Sequence, residues 1–402
     1  MRAVSLFAVV ILCGQALLAS ADEGSAAQKR TKHIGKEPIF GGAQAVVVDD
    51  VALFYTPQFL PLDFDGALLG KNATEQAQVI LKNLGSSTNS LDSRDESRIV
   101  KLNVYVPNEA VATELRPILI TQFRDRQRPA ISLVQTRIHR PGVQVTMDAV
   151  AIAHRPDQHN LKAIVVNKWH ANTTSILPRG PRVYVSGQAE KGVDLADATA
   201  KTLQGLKQTL QHLGSEIKDI AQVKCFLTPM ADVAKVEAEI GKWFSPHPVP
   251  PCVFVEWQST LPIEIELIAA ARPKAGPQEP LEFITPPGMT ASPVFCRVVR
   301  INDPRTIFVS GLYAKDATDG AGQVTQIFEQ LQEVLKASGS DLRHLAKATY
   351  YVSDNDVSAK LNELRPKFYD PARPPAASKA QVFGVGLAGR SLTLDMIAVP
   401  AK

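Results

Sequence analysis

The sequence is poor in the residues that build metal and disulfide scaffolds. Its 402 residues include four cysteines and eight histidines. No two cysteines are spaced as C-x-x-C and the histidines are scattered, so a zinc ribbon is excluded and neither a metal nor a cofactor is expected. Cys13 lies in an N-terminal apolar run, which leaves Cys225, Cys252 and Cys296, an odd number that cannot all pair within one chain. Cys225 in VKCFL and Cys252 in PCVFV read as small apolar core residues. An excess of one charge is missing too. The formal net charge is +4 and no basic run is interleaved with aromatics, so nucleic acid is not expected as a partner. The apolar run VSLFAVVILCGQALLA after Arg2 is too short and too badly flanked to span a bilayer. Followed by Ala19-Ser20-Ala21, it has the form of a secretory signal peptide, residues 1–21. Leu12 before Cys13 argues against a lipid anchor. Residues 22–36 are polar and expected to be disordered. The expectation is an exported chain, periplasmic or extracellular, maturing near Ala21 and without a membrane partner.

What is present is a normal core and a repeat. Hydrophobic residues make up 45% of the chain and charged residues 21%, which suits a globular protein of several domains. The stretch RVYVSGQ, 182–188, returns as RTIFVSGL, 305–312. Each is followed by a polar stretch and a helical pattern with apolar residues three and four apart: Leu203, Leu206, Leu210 and Leu213, then Val324, Ile327, Phe328, Leu331 and Leu335. Gly214-Ser215 and Gly339-Ser340 close these helices, with glycine where the C-terminal cap favours positive φ. In each copy a strand, a second helix, a Pro-rich turn and two strands follow. An earlier, more divergent copy begins at ALFYTPQ, 52–58, with Thr56-Pro57 in place of Ser-Gly. Its helix carries Ala73, Ala77, Ile80, Leu81 and Leu84 and is expected to end at Gly85-Ser86. The units are placed at 37–153, 160–273 and 281–402.

Two amphipathic helices per unit can cover only one face of a mixed sheet. The strands are nonetheless apolar in both alternation phases, so the other face must be buried elsewhere. Three such units in one chain imply that they bury it against one another in a closed threefold arrangement, an α+β pseudo-trimer folded from a monomer.

VYVSGQ, the Gly-Ser helix end, VKCFLTPMADV, the Pro-rich turn and IEIELIAAA together resemble the RidA family of reactive intermediate deaminases, also described as endoribonuclease L-PSP or translation inhibitor. The resemblance implies a chorismate-mutase-like α+β fold, with two helices on one face of each sheet and small-metabolite clefts between units. It also implies hydrolysis of enamines and imines whose carboxylate is held by an arginine. That arginine is absent here: Ile131, Pro250 and Ala377 stand in its place. The family's acidic position falls on Glu266, matched by Asp148 and Asp395, which makes these the candidate catalytic acids. Ser186-Gly187 and Ser310-Gly311 match the cleft turn. Cys252 and Lys379, close to the lost arginine positions, complete the candidate substrate contacts. Two functions compete: a degenerate member that binds small metabolites without turnover, and an imine hydrolase whose substrate is held differently. Ribonuclease activity is a third reading with no basic groove to support it.

Overall fold

The computed structural model describes residues 30–89, 99–123, 128–153 and 173–401. Chain order begins with β1 (Thr31–Ile34), β2 (Ala45–Val48), β3 (Ala52–Tyr55), α1 (Ala73–Asn89), β4 (Ile99–Val106), α2 (Glu109–Gln122), β5 (Ala130–Gln135) and β6 (Thr146–Ala153). It continues with β7 (Ser175–Leu177), β8 (Arg182–Gln188), α3 (Leu195–His212), β9 (Ile220–Leu227), α4 (Val233–Phe244), β10 (Cys252–Glu256) and β11 (Ile263–Ala270). The last part holds β12 (Leu281–Ile284), β13 (Val298–Ile301), β14 (Thr306–Val309), α5 (Gly320–Ala337), β15 (Leu345–Val352), α6 (Asn355–Phe368), β16 (Ala376–Gln381) and β17 (Leu392–Ala398). The result is an α+β architecture of three mixed sheets with helices, as a tandem triplication requires.

The helices pack as their spacing dictates. Leu203, Leu206 and Leu210 of α3 are buried, as are Val324, Ile327, Phe328, Leu331 and Leu335 of α5. Gly214 and Gly339 take φ of 68° and 78° at the caps, in the left-handed region that glycine enters without a Cβ penalty. Asp194, Asp319 and Asp354 cap the starts of α3, α5 and α6 by accepting from the third backbone N–H beyond them. The first unit departs from the pattern. Its helix does not stop at Gly85-Ser86 but runs on to Asn89. Gly85 does not adopt the positive φ that ends the other two.

The opening strands do not stay with the unit that follows them. Sheet one has the order β5-β4-β6-β3-β7, sheet two β10-β9-β11-β8-β13-β12, and sheet three β1-β2-β14-β17-β15-β16. Thus β7 joins sheet one, the β12–β13 hairpin joins sheet two, and the β1–β2 hairpin at the start of the chain joins sheet three. Only three residues separate β2 from β3, yet the two lie in different sheets: β2 pairs with β14 and β3 pairs with β6 and β7. Each sheet is therefore completed by strands from the next unit, cyclically. The last part of the 22–36 segment is accordingly not disordered: Thr31–Ile34 is a strand because Ala45–Val48 offers it a ladder. Residues 1–29, on which the expected signal peptide falls, and 160–172 at the expected start of the second unit lie outside the described residues.

Between the sheets lies a shared apolar core. Val46, Leu53, Tyr55, Val150, Tyr184, Ile268, Val299, Phe308 and Ile397 come from all three sheets and pack in one cluster. This explains strands such as β4, β9 and β15, which are buried at every position. One face meets its own helices and the other meets the neighbouring units.

Candidate functional site

Where the sheets converge, three lysines meet three carboxylates. Asp395 Oδ1 lies 3.3 Å from Lys101 Nζ, and its Oδ2 lies 3.2 Å from Lys224 Nζ and 3.5 Å from Lys347 Nζ. Glu266 Oε1 is 3.2 Å from Lys347 Nζ. Asp148 instead accepts from Tyr105 Oη at 2.7 Å and Asn103 Nδ2 at 2.9 Å. Strand register accounts for the convergence, since Asp148 faces Asn103, Glu266 faces Lys224 and Asp395 faces Thr349 across equivalent strand pairs. Exposure of the three acids is 0%, 4% and 5%. Burial by itself raises a carboxyl, but at Asp395 Lys347, Lys101 and Lys224 outweigh it and hold the group well below the ordinary range. At Asp148 burial prevails over Lys224 and the two hydrogen bonds, and the carboxyl is pushed up. The three candidate acids thus sit together in one buried ionic knot.

The clefts form where the turn after one strand meets the edge strand of the next sheet, and the three differ. At Ser310-Gly311 the turn is stitched to β5. Ser310 Oγ donates to Ala43 O at 2.6 Å and accepts from Ile131 N at 2.7 Å, and Gly311 N donates to Ile131 O at 2.8 Å. At Thr56-Pro57 the following residue, Gln58, closes the gap. Its amide accepts from Phe254 N at 3.1 Å and donates to Thr146 Oγ1 at 2.8 Å, while Thr56 Oγ1 accepts from Ala149 N at 2.8 Å.

The third cleft, between sheets two and three, keeps one unpartnered hydroxyl. Gly187 N donates to Ser378 Oγ at 3.1 Å. Ser186 Oγ is buried, the residue being 2% exposed, and has no hydrogen-bond partner. Glu264 occupies the space that a Cβ on Gly187 would need. Burial and the neighbouring Glu266 charge raise its carboxyl to about 7, against the opposing pull of Ser378 and Arg297. A carboxyl poised near neutrality can donate or accept a proton.

The remaining sequence candidates are placed as follows. Leu102 pairs with Ile131, Ala348 with Ala377 and Val223 with Cys252, so by register Cys252 occupies in sheet two the place of Ile131 and Ala377. Pro250 lies two residues earlier, its carbonyl 3.3 Å from Cys252 Sγ. None of these positions offers a cation. Burial pushes the Cys252 thiol up to about 12, which leaves it protonated and inert. Lys379 turns towards α6, donating to Ser358 Oγ at 3.0 Å and Asn362 Oδ1 at 3.2 Å. Two cleft residues escape sequence reasoning. Glu264 shares a strand with Glu266 and could have been found by the alternation of IEIELI. Arg297 had no local signal, because it reaches the cleft through the pairing of β13 with β8.

The profile of the Endoribonuclease L-PSP family matches residues 168–271 and again 289–399, more than half of the sequence. The chain belongs to the Endoribonuclease L-PSP family. Its similarity to Protein DfrA of Myxococcus xanthus is 29% identity over 112 residues, 26% of this chain and 84% of that protein. Among solved structures it is similar to YyfB of the Rid protein family from Yersinia pestis, with 19% identity over 31% of this chain and 98% of that one, at a TM-score of 0.28. It is also similar to NMB1025, a YjgF family member from Neisseria meningitidis, with 21% identity, coverage of 30% and 96%, and a TM-score of 0.24. The two L-PSP matches contain both Ser-Gly turns, Glu264 and Arg297. The first unit, with Thr56-Pro57, lies outside them.

Proposed function

We propose that this L-PSP family chain binds a small metabolite in a single working cleft, between sheets two and three. The observation that carries the reading is the contrast among the clefts. At Ser310 the hydroxyl is engaged twice by the neighbouring unit and at Thr56-Pro57 Gln58 reaches Phe254 N, while at the third turn Ser186 Oγ is unpartnered beside the Glu264 carboxyl. A buried hydroxyl without a partner costs about 1–3 kcal/mol, a cost that a bound ligand relieves. In this reading Asp148, Glu266 and Asp395 hold the three units together, and the chain works as a monomeric pseudo-trimer, exported after cleavage near Ala21. Native mass spectrometry of the mature chain against a small-metabolite library tests it. A ligand bound by the wild type and lost in Gly187→Val, which fills the cleft, is expected; a library in which no ligand distinguishes the two proteins sinks the idea.

A second reading, imine or enamine hydrolysis, is favoured by the proton-transfer range of Glu264. Its test is turnover of 2-aminoacrylate-type imines generated in situ. Activity abolished by Glu264→Gln supports it, and a rate no higher than without protein removes it.

A further inference from the structure

The two helices over sheet two end around a cavity of about 320 Å³, and every residue lining it belongs to the second unit. It is thus separate from the clefts between sheets. Leu210, Ile217 and the Trp243 indole give it apolar walls, while Lys207, Lys218 and Ser245 bring hydrogen-bond donors. Lys207 is half-buried on α3, and its ammonium has no partner among the described residues. The Trp243 indole N–H is buried and also unpartnered. Among the described residues of the lining Glu216 is the only acid, and it is already held. Its Oε1 lies 2.7 Å from Arg272 Nη2 and its Oε2 2.9 Å from Lys218 Nζ. The cavity therefore carries an excess of positive charge. Helix C-termini disfavour anions, and both α3 and α4 end here. Their last carbonyls are already occupied, however. Leu213 N, Gly214 N and Ser215 N donate to Thr209 O, Gln211 O and Leu210 O, and Ser245 N donates to Gly241 O.

The third unit closes the same place. The two units align without a gap from Gly214 and Gly339 to Cys252 and Ala377, which matches Lys218 with Arg343, Trp243 with Phe368 and Ser245 with Asp370. Arg343 Nη1 and Asp370 Oδ2 form an ion pair at 2.8 Å, and Phe368 stacks on Phe328 with ring centres 4.5 Å apart. In the second unit Ser245 offers no carboxylate, Lys218 turns to Glu216, and the space stays open. We infer that this cavity is a second binding site, for a small phosphomonoester with a flat aromatic body. The phosphate meets the Lys207 and Lys218 ammonium groups, and the ring lies against the Trp243 indole. A tetrahedral phosphate suits point charges that approach from different sides, without the planar fork that a carboxylate favours. The indole supplies a broad apolar face for the ring, and the Ser245 hydroxyl adds a neutral donor.

Calorimetry on the full chain tests this, with phenyl phosphate, inorganic phosphate and phenol as probes. Phenyl phosphate is expected to bind the wild type, inorganic phosphate about fivefold more weakly for want of the ring, and phenol more weakly still. Lys207→Gln is expected to lower the affinity for phenyl phosphate by about tenfold. Lys235→Gln, which removes a lysine of α4 paired with Asp232 outside the cavity, is expected to bind as the wild type does. The double variant Lys218→Arg with Ser245→Asp copies the ion pair of the third unit and is expected to abolish binding. A wild type that takes up no phenyl phosphate overturns the inference, as does phosphate or phenol binding equally well. Unchanged affinity in Lys207→Gln or in the double variant overturns it too. Gly187→Val, which fills the cleft between sheets two and three, is expected to leave phenyl phosphate binding intact. Loss of binding there would put the ligand in that cleft and overturn the second site.

Discussion

The turns at Ser186-Gly187 and Ser310-Gly311 have the same local sequence and follow equivalent strands, yet one serine hydroxyl is unpartnered and the other is fully bonded. At Ser310 both capacities of the hydroxyl are used, by Ala43 O and Ile131 N. At Ser186 neither is. The difference lies in what the neighbouring unit brings. Thr393 stands on β17 where Glu264 stands on β11, and Gln44 stands where Arg297 does. The Ser186 turn meets β16 through the Ser378 side chain, with the Glu264 carboxyl beside it, whereas the Ser310 turn bonds directly to the β5 backbone. The two turns differ here in their surroundings and not in themselves.

The largest effect is expected from breaking the scaffold on which both clefts stand. Asp395→Ala leaves three buried lysines facing one fewer carboxylate and should cost about 3–5 kcal/mol in urea unfolding, with both turns losing amide-exchange protection. Next comes the direct contrast between the serines. Ser310→Ala strands a buried N–H and a buried carbonyl and should cost about 1–3 kcal/mol, while Ser186→Ala should change stability by about 0.5 kcal/mol or less. Equal costs would erase the distinction between the clefts.

The pH dependence sharpens it further. In the folded chain the Glu264 carboxyl is raised from an ordinary value of 4.5 to about 7. The folded state therefore keeps a proton that the unfolded state releases. The resulting stabilisation is complete below 4.5 and is lost as the pH climbs through 7. The stability of the wild type relative to Glu264→Gln should fall by roughly 3 kcal/mol from about pH 4 to about pH 8. A rising or flat difference in thermal melts would show that Glu264 is not the raised acid. The smallest effect concerns the glycines. A Cβ at Gly311 would lie 2.8 Å from Thr393 Oγ1 and 3.4 Å from the Ser132 backbone, so Gly311→Ala should destabilise by about 1 kcal/mol. At Gly187 the obstacle is the end of the Glu264 side chain, which can swing aside, so Gly187→Ala should impair ligand binding more than stability.

The sequence by itself determined the repeat, the amphipathic helices with the capping glycines of α3 and α5, and the need for the sheets to bury a second face. All of these follow from local periodicity and from counting apolar faces. It also marked Asp148, Glu266 and Asp395 as equivalent positions, though not that they share one knot with Lys101, Lys224 and Lys347. Only the tertiary structure decided which strands belong to which sheet. The links before β3, β8 and β14 are short enough to make hairpins, and nothing local forbids them; pairing with the adjacent sheet is chosen because it closes the ring. That choice brings the Arg297 carbonyl to Ser186 N and the Gln44 carbonyl to Ser310 N, and so gives two turns of like sequence different neighbours. Register and strand exchange are long-range properties, set by the fit of whole faces, and no window of neighbouring residues encodes them.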